Sequence, residues 1–201
     1  MEIQKEVNLV NYYRHHILGG SFVDLVPVSE KYAKDIVNLR NTERVYHNLN
    51  QPYKLTEEMQ LKWIDEYYKR DNDIYWCILD KNGVFIGTYR VYDIDFDTSV
   101  AEIGSTIIYE DRAKERPYMI EATLMVYHLA FDVLNIRKII AHIRYDNEKV
   151  RSFDKRLGSH ETDTIFLTGI AYITTELEKN NFEDDKLERI LSHWRRRENI
   201  T

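Results

Sequence analysis

The sequence predicts an α/β protein: one mixed β-sheet with helices on both faces. Three observations carry this. From Ile74 to Ile108 the apolar pattern is that of strands, broken by the turn signals Asn82-Gly83 and Asp95-Phe96-Asp97-Thr98, so these strands form antiparallel hairpins. From Pro117 to Leu134 the chain is apolar on most sides, which marks a well-buried helix. Another strand pattern, Lys138–Arg144, follows at once, completing a strand–helix–strand unit whose two strands run parallel.

The remaining elements follow in order. Ile3, Val7, Val10 and Ile17 fall at helical spacing, which predicts an N-terminal helical extension over about residues 1–20, ending at Gly19-Gly20. Phe22 to Val26 reads as a short strand stopped by Pro27. Ser29 is a good N-cap for a helix reaching Arg40. Residues 41–54 read as irregular. Thr56 caps the next helix, with Glu57 and Glu58 in its first turn complementing the dipole and Leu61, Ile64 and Tyr68 on one face. Ile74–Leu79, Val84–Val91 and Val100–Ile108 are the hairpin strands. Asn147 to Leu157 is a helix closed by Gly158, Thr162–Leu167 and Ile170–Thr174 form a last hairpin, and residues 184–198 make a C-terminal helix.

At 201 residues, without repeats or linker-like tracts, the chain reads as a single domain over residues 1–201. Its formal charge of −6 argues against a nucleic-acid partner, and the Arg195–Arg197 cluster reads as the completion of a helix C-terminus. No apolar run reaches the roughly 20 residues that cross a bilayer, and the charged start lacks a signal-peptide pattern. The expected compartment is cytoplasmic, with no membrane partner. The single cysteine, Cys77, lies in an apolar strand and reads as a core thiol. No histidines, cysteines and carboxylates show metal-ligand spacing, so no metal is expected. The C-terminal hairpin offers a possible homodimer contact.

The chemistry concentrates between Ala101 and Gly158. A helix N-terminus carries free N–H groups and partial positive charge, a natural phosphate site. Here the preceding turn holds Arg112, Lys114 and Arg116, and Pro117 suits the first helical position. Three stretches share their order and spacing with the GNAT superfamily of N-acetyltransferases. They are Ala101-Glu102-Ile103-Gly104, the run from Pro117-Tyr118-Met119-Ile120-Glu121-Ala122 to Leu134-Asn135-Ile136-Arg137-Lys138-Ile139, and the run from Asn147-Glu148-Lys149 to Arg156-Leu157-Gly158. The chain resembles that family from about Phe22 to Tyr172. Upstream, Leu39-Arg40-Asn41 and Leu55-Thr56-Glu57-Glu58 are similar to the subgroup that acetylates amino sugars on nucleotide carriers, with its relatives that acetylate ribosomal-protein N-termini.

The resemblance implies an acetyltransferase that moves an acetyl group from acetyl-CoA to a primary amine. Acetyl-CoA would lie between the splayed strands Val100–Ile108 and Lys138–Arg144. Its pantetheine arm would pair near Ile107, Ile108 and Tyr109 and with Asn147. Its pyrophosphate would rest on the amides from Lys114 to Ile120, with Arg116, Tyr118 and Met119 around it. The acceptor would be a small-molecule amine entering from the side of the first two helices, near Arg40, Asn41 and His47. An amino sugar on a nucleotide carrier is the expected acceptor, with a protein N-terminus or a polyamine as alternatives.

The chain departs from the family pattern at three positions. Pro117 and Met119 stand where glycines let backbone approach phosphate closely; proline removes a donor and methionine adds a side chain. Asp154 stands where the family often has a tyrosine that protonates the leaving thiolate, so it needs a raised pKa to serve as acid. These departures also suit a GNAT-fold binding module without catalysis. Tyr145 and Tyr118 are substitute acids. For the base, Glu102 comes first: it is a lone carboxylate in an apolar strand, sharing a face with Gly104 and Thr106 and facing away from Ile103 and Ile107. His142, mid-strand, reads as a hydrogen-bonded histidine.

Overall fold

In a computed structural model that describes residues 9–200, eight strands form one sheet in the order β1-β2-β3-β4-β5-β6-β8-β7. The strands are β1 (Leu18–Gly19), β2 (Val23–Pro27), β3 (Ile74–Asp80), β4 (Phe85–Asp95), β5 (Val100–Ile108), β6 (Lys138–Arg144), β7 (His160–Leu167) and β8 (Ile170–Glu178). All neighbours run antiparallel except β5 and β6. The helices are α1 (Ala33–Arg40), α2 (Glu43–Asn48), α3 (Glu57–Tyr68), α4 (Tyr118–His128), α5 (Glu148–Arg156) and α6 (Asp185–Arg197). The mixed sheet with helices on both faces is the expected architecture.

The hairpin turns form where the residues place them. Gly83 takes a φ of 78° between β3 and β4, and the Asp95 carboxylate accepts the amides of Asp97 and Thr98. The Thr56 hydroxyl accepts the Met59 amide at 3.2 Å and caps α3. One face of the sheet is covered by α4, α5 and α6, whose apolar side chains join Phe22, Trp76, Ile103 and Ile139 in the main core. On the other face α1 and α3 pack Tyr32, Ile36, Ile64 and Tyr67 on Tyr75, Cys77 and Leu79. Trp63 of α3 lies over Arg90 of β4, and Leu39 of α1 and Val45 of α2 pack on Ile107 of β5. Buried Cys77 is therefore a core thiol, and burial pushes its pKa up.

Several expectations are corrected. Of the helix expected over residues 1–20, residues 1–8 lie outside the described residues; within them residues 9–13 are helical, and Leu18–Gly19 pairs with β2 instead. Ser29 precedes a 3-10 turn, Glu30–Tyr32, without capping it through its side chain. Residues 43–48, expected to be irregular, are helical. In α3 the buried face is Gln60, Ile64 and Tyr67, because Tyr67 rather than Tyr68 meets the sheet. Pro117 is the N-cap of α4 rather than its first residue, and its carbonyl accepts the Glu121 amide at 2.9 Å. The last turn, Leu129–Val133, widens to a π-turn, with the Leu134 amide bonding Leu129.

One buried contact sets where α4 begins. The Glu121 carboxylate accepts the amides of Ser21, Phe22 and Val23 at 2.7, 2.6 and 2.9 Å, and Arg195 of α6 approaches at 3.4 Å. A Cβ on Gly20 would lie 2.6 Å from that carboxylate, so the turn into β2 needs glycine there. The contact locks the N-terminal end of α4 to β2 and to the C-terminal helix.

Candidate active site

The parallel pair at the centre of the sheet is short. Val100, Ala101 and Glu102 face Lys138, Ile139 and Ile140; beyond that rung the strands part, although β5 runs on to Ile108 and β6 to Arg144. The local cause is a bulge in β5. Ser105 has a φ of 48°, and the register with β4 slips between Arg90↔Gly104 and Thr88↔Ile107. The bulge also reverses the alternation of side chains. Ile103 packs in the main core, whereas Ile107 packs on the opposite face against Leu39 and Val45. Ile103 and Ile107 therefore do not share a face, which corrects the regular alternation expected of β5. The result is a wedge-shaped crevice at the carboxyl ends of two parallel strands, where open α/β sheets bind ligands.

The N-terminus of α4 opens beside this crevice. The Lys114 and Glu115 amides are spent on the 3-10 turn, bonding Asp111 and Arg112. Among the described residues, no hydrogen bond is donated by the amides of Arg116, Tyr118, Met119 or Ile120. Pro117 thus interrupts the cradle without closing it. A cleft of about 210 Å³ lies here, lined by Ala113, Lys114, Arg116, Pro117, Met119, Ile120 and Trp194. The cations divide. Arg112 is tied to Asp80 and Glu115, and Arg116 pairs with Glu198 at 3.2 Å. Lys114 stands most exposed, 4.0 Å from Glu110. Free amides and a solvated lysine at a helix N-terminus fit a phosphate group.

Glu102 lies on the sheet face that carries α1 and α3, opposite the main core, at the last rung before the strands part. The Tyr92 hydroxyl on β4 donates to Glu102 Oε1. Glu102 Oε2 faces His142 Nε2 at 3.7 Å, and His142 Nδ1 lies 3.1 Å from Thr174 Oγ1 on β8. Burial first, and then the neighbouring carboxylate, push the Tyr92 pKa far up, so Tyr92 remains a donor. Its ring lies under the Arg90 guanidinium at 4.3 Å, and Arg90 is itself held by Asp73 at 2.8 Å.

The short helix α2 spans the open end of the wedge. Arg44 donates to the Ile108 carbonyl at 2.9 Å on β5. At the other end Arg144 of β6 donates to the His47 carbonyl at 2.7 Å, and Asp146 bridges Arg144 and His47 at 2.7 and 3.3 Å. Arg144 first, then His47, hold the Asp146 pKa below the usual carboxylate range. Of the backbone expected to meet a pantetheine arm, the Tyr109 amide bonds Ile86 and the Ile108 carbonyl bonds Arg44. Arg44 and Arg144 were not legible as site residues, since only the fold brings them to opposite walls of one crevice.

The other expected site residues divide between the crevice and the scaffold. The Asn147 side-chain Oδ1 accepts the Val150 amide and caps α5. Arg40 donates to Gln51 at 3.0 Å and to Ser105 of the bulge at 3.3 Å. Asn41 bonds both the amide and carbonyl of Leu55 and so closes the loop that carries α2. Asp154 is buried, with Oδ2 accepting Ser159 at 2.8 Å and Thr175 at 2.5 Å; burial pushes its pKa up despite these donors. Tyr145 is exposed after β6, with Arg151 over its ring at 5.3 Å. Among the described residues no group of three or more His, Cys, Asp and Glu could hold a metal, and no helix is long and apolar enough to cross a membrane.

Comparison with known proteins decides the family. Residues 23–160 match the model of the acetyltransferase (GNAT) domain, more than half of the chain. The chain belongs to the GNAT family. No curated protein matches the sequence. Solved structures share the GNAT fold. A GCN5-related N-acetyltransferase from Brucella melitensis is 21% identical, with a TM-score of 0.71 over 90% of this chain and 85% of that one. Apo FdhC, a nucleotide-linked sugar GNAT, is 24% identical, with a TM-score of 0.72 over 87% and 96%. A spermidine N-acetyltransferase from Vibrio cholerae in complex with CoA and spermine is 16% identical, with a TM-score of 0.70 over 81% and 98%. As a GNAT enzyme this protein is an acyl-CoA-dependent N-acetyltransferase, and the free amides of α4 and the wedge between β5 and β6 fit acetyl-CoA.

Proposed function

We propose that this acetyltransferase modifies the amine of an amino sugar carried on a nucleotide, with Glu102 as the base. The observation that carries the acceptor is Arg40. Its half-buried guanidinium reaches from the end of α1 to the β5 bulge and is held by two neutral side chains, Gln51 and Ser105. Among the described residues no carboxylate pairs with it. An unneutralised arginine on the acceptor side suits a diphosphate carrier and disfavours a polycation. The fold shared with a nucleotide-linked sugar GNAT supports the reading.

Glu102 sits where an amine on this face would approach the crevice, and it takes the amine's proton as nitrogen attacks the thioester carbonyl. The C–N bond forms, the C–S bond breaks, and the thiolate needs a proton. We assign that proton to Tyr145 rather than Asp154, the tyrosinate regaining a proton from solvent. Both hydroxyls around Asp154 already point at its Oδ2, whereas Tyr145 is 58% exposed.

The test compares a nucleotide-linked amino sugar, the same amino sugar without its nucleotide, and spermidine. With Arg40→Gln, KM for the nucleotide-linked acceptor should rise about 10-fold, the loss of one charge-assisted contact, while the free amino sugar changes less than about twofold. A higher kcat/KM for spermidine or a peptide N-terminus than for the nucleotide-linked sugar rejects the assignment.

A further inference from the structure

We propose that His142 is a proton-relay residue that carries the acceptor's proton away from Glu102 to solvent. The inference rests on the acetyltransferase reading and on Glu102 as base, and adds the step that resets that base.

The geometry is that of a directed path. Glu102 and Ile140 form the last rung of the parallel pair, and His142 is two residues further along β6, so both side chains stand on the same face where the strands part. The two carboxylate oxygens have different neighbours. Oε1 is taken by the Tyr92 hydroxyl, and Oε2 faces His142 Nε2 at 3.7 Å. On its far side the imidazole meets Thr174 Oγ1 at 3.1 Å. When Nδ1 carries the hydrogen and Thr174 accepts it, Nε2 presents a lone pair to the carboxylate. Two acceptors facing each other stand apart, and 3.7 Å is just beyond hydrogen-bond range. A proton arriving on Oε2 turns the repulsion into an O–H···N bond. Elsewhere on this face Lys138 pairs with Glu176 at 3.0 Å and Arg90 with Asp73, while Arg40 is held by the neutral side chains of Gln51 and Ser105.

The proton balance is explicit. The attacking amine loses one N–H proton to Glu102 Oε2 as its C–N bond forms. That proton passes to His142 Nε2, giving an imidazolium whose Nδ1–H remains on Thr174. The His142 side chain is 25% exposed, so the imidazolium releases its Nε2 proton to water, which leaves Nδ1–H on Thr174 and returns both groups to their starting forms. His142 acts through Glu102 and needs no contact with either substrate.

The test uses the full-length protein, acetyl-CoA, and both a nucleotide-linked amino sugar and spermidine as acceptors, with thiol release as readout. His142→Ala should lower kcat about 10- to 100-fold while KM for acetyl-CoA stays within about twofold. Added imidazole should restore several-fold of the lost rate, and the rescue should vanish when Glu102→Gln is combined with it. Thr174→Val, which removes the partner that sets the tautomer, should lower kcat in the same direction. A kcat for His142→Ala within about twofold of wild type overturns the relay. So does a loss that imidazole does not restore in a variant whose melting temperature matches wild type. A wild-type protein that acetylates neither amine overturns the acetyl-transfer reading for those acceptors and the relay with it. Intact turnover with an indifferent His142 overturns the relay alone.

Discussion

Asp154 shows how one residue can look like surface chemistry and belong to the interior. It lies seven positions after the helix-capping Asn147, among charged neighbours in sequence, yet it is only 7% exposed and held by two hydroxyls. Burial raises its folded pKa above the unfolded one, so its favourable contribution is full below the unfolded value and is lost as pH rises through the folded one. Asp154→Asn keeps an acceptor and removes the titration. Its stability relative to wild type should therefore increase as pH rises from about 4 toward neutrality. Melting temperatures of both proteins across that range check this; a pH-independent difference rejects it. Gly20 makes a complementary point, since its need for glycine arises from Glu121, a hundred residues away in sequence but in contact in the fold.

At the scale of elements, α2 is the piece whose placement matters most. It has six residues and a single buried side chain, Val45, too little to hold a helix by packing. It is held instead at its two ends, by Arg44 on Ile108 and by Arg144 on His47. Arg144→Ala should release the β6 end. Amide hydrogen exchange in residues 43–49 should then quicken roughly 10-fold with the β3–β4 hairpin unchanged, because local opening follows the contacts that close it. Unchanged exchange would show that the strap is held elsewhere. Helix α4 is the opposite case: an apolar sequence and the Glu121 contact hold it, and its first amides, which lack an intrahelical partner, are free for a ligand.

For the whole molecule, the eight-stranded sheet divides the work. One face is packed by α4, α5 and α6; on the other, α1 and α3 cover β2, β3 and part of β4, and α1 and α2 cover the end of β5 at Ile107. This second face carries Glu102, His142 and Arg90. A ligand bound across β5, β6 and the α4 N-terminus ties the sheet to its helices. Acetyl-CoA at about 100 times its Kd should add about 2.7 kcal/mol, a rise in Tm of about 5–10 °C for a chain of this size. A thermal melt with and without acetyl-CoA measures this; no shift at millimolar concentration would contradict cofactor binding. Strand β7, mostly exposed at the edge of the sheet, is where we propose that a homodimer would pair.

The sequence by itself determined the α/β class, the hairpins at Asn82-Gly83 and Asp95–Thr98, the α4–β6 unit and the family, because each is written in local turn chemistry and in hydrophobic period. It also determined Glu102 as an odd carboxylate in an apolar strand. The fold alone decided the rest. The bulge at Ser105 reversed the faces of Ile103 and Ile107, a register effect that periodicity does not carry. The parting of β5 and β6 brought Arg44 and Arg144 to opposite walls of one crevice, and Glu102 against His142, across a sequence gap that no spacing rule spans. Contacts between strands depend on register, and register depends on where neighbouring strands pair and where they stop.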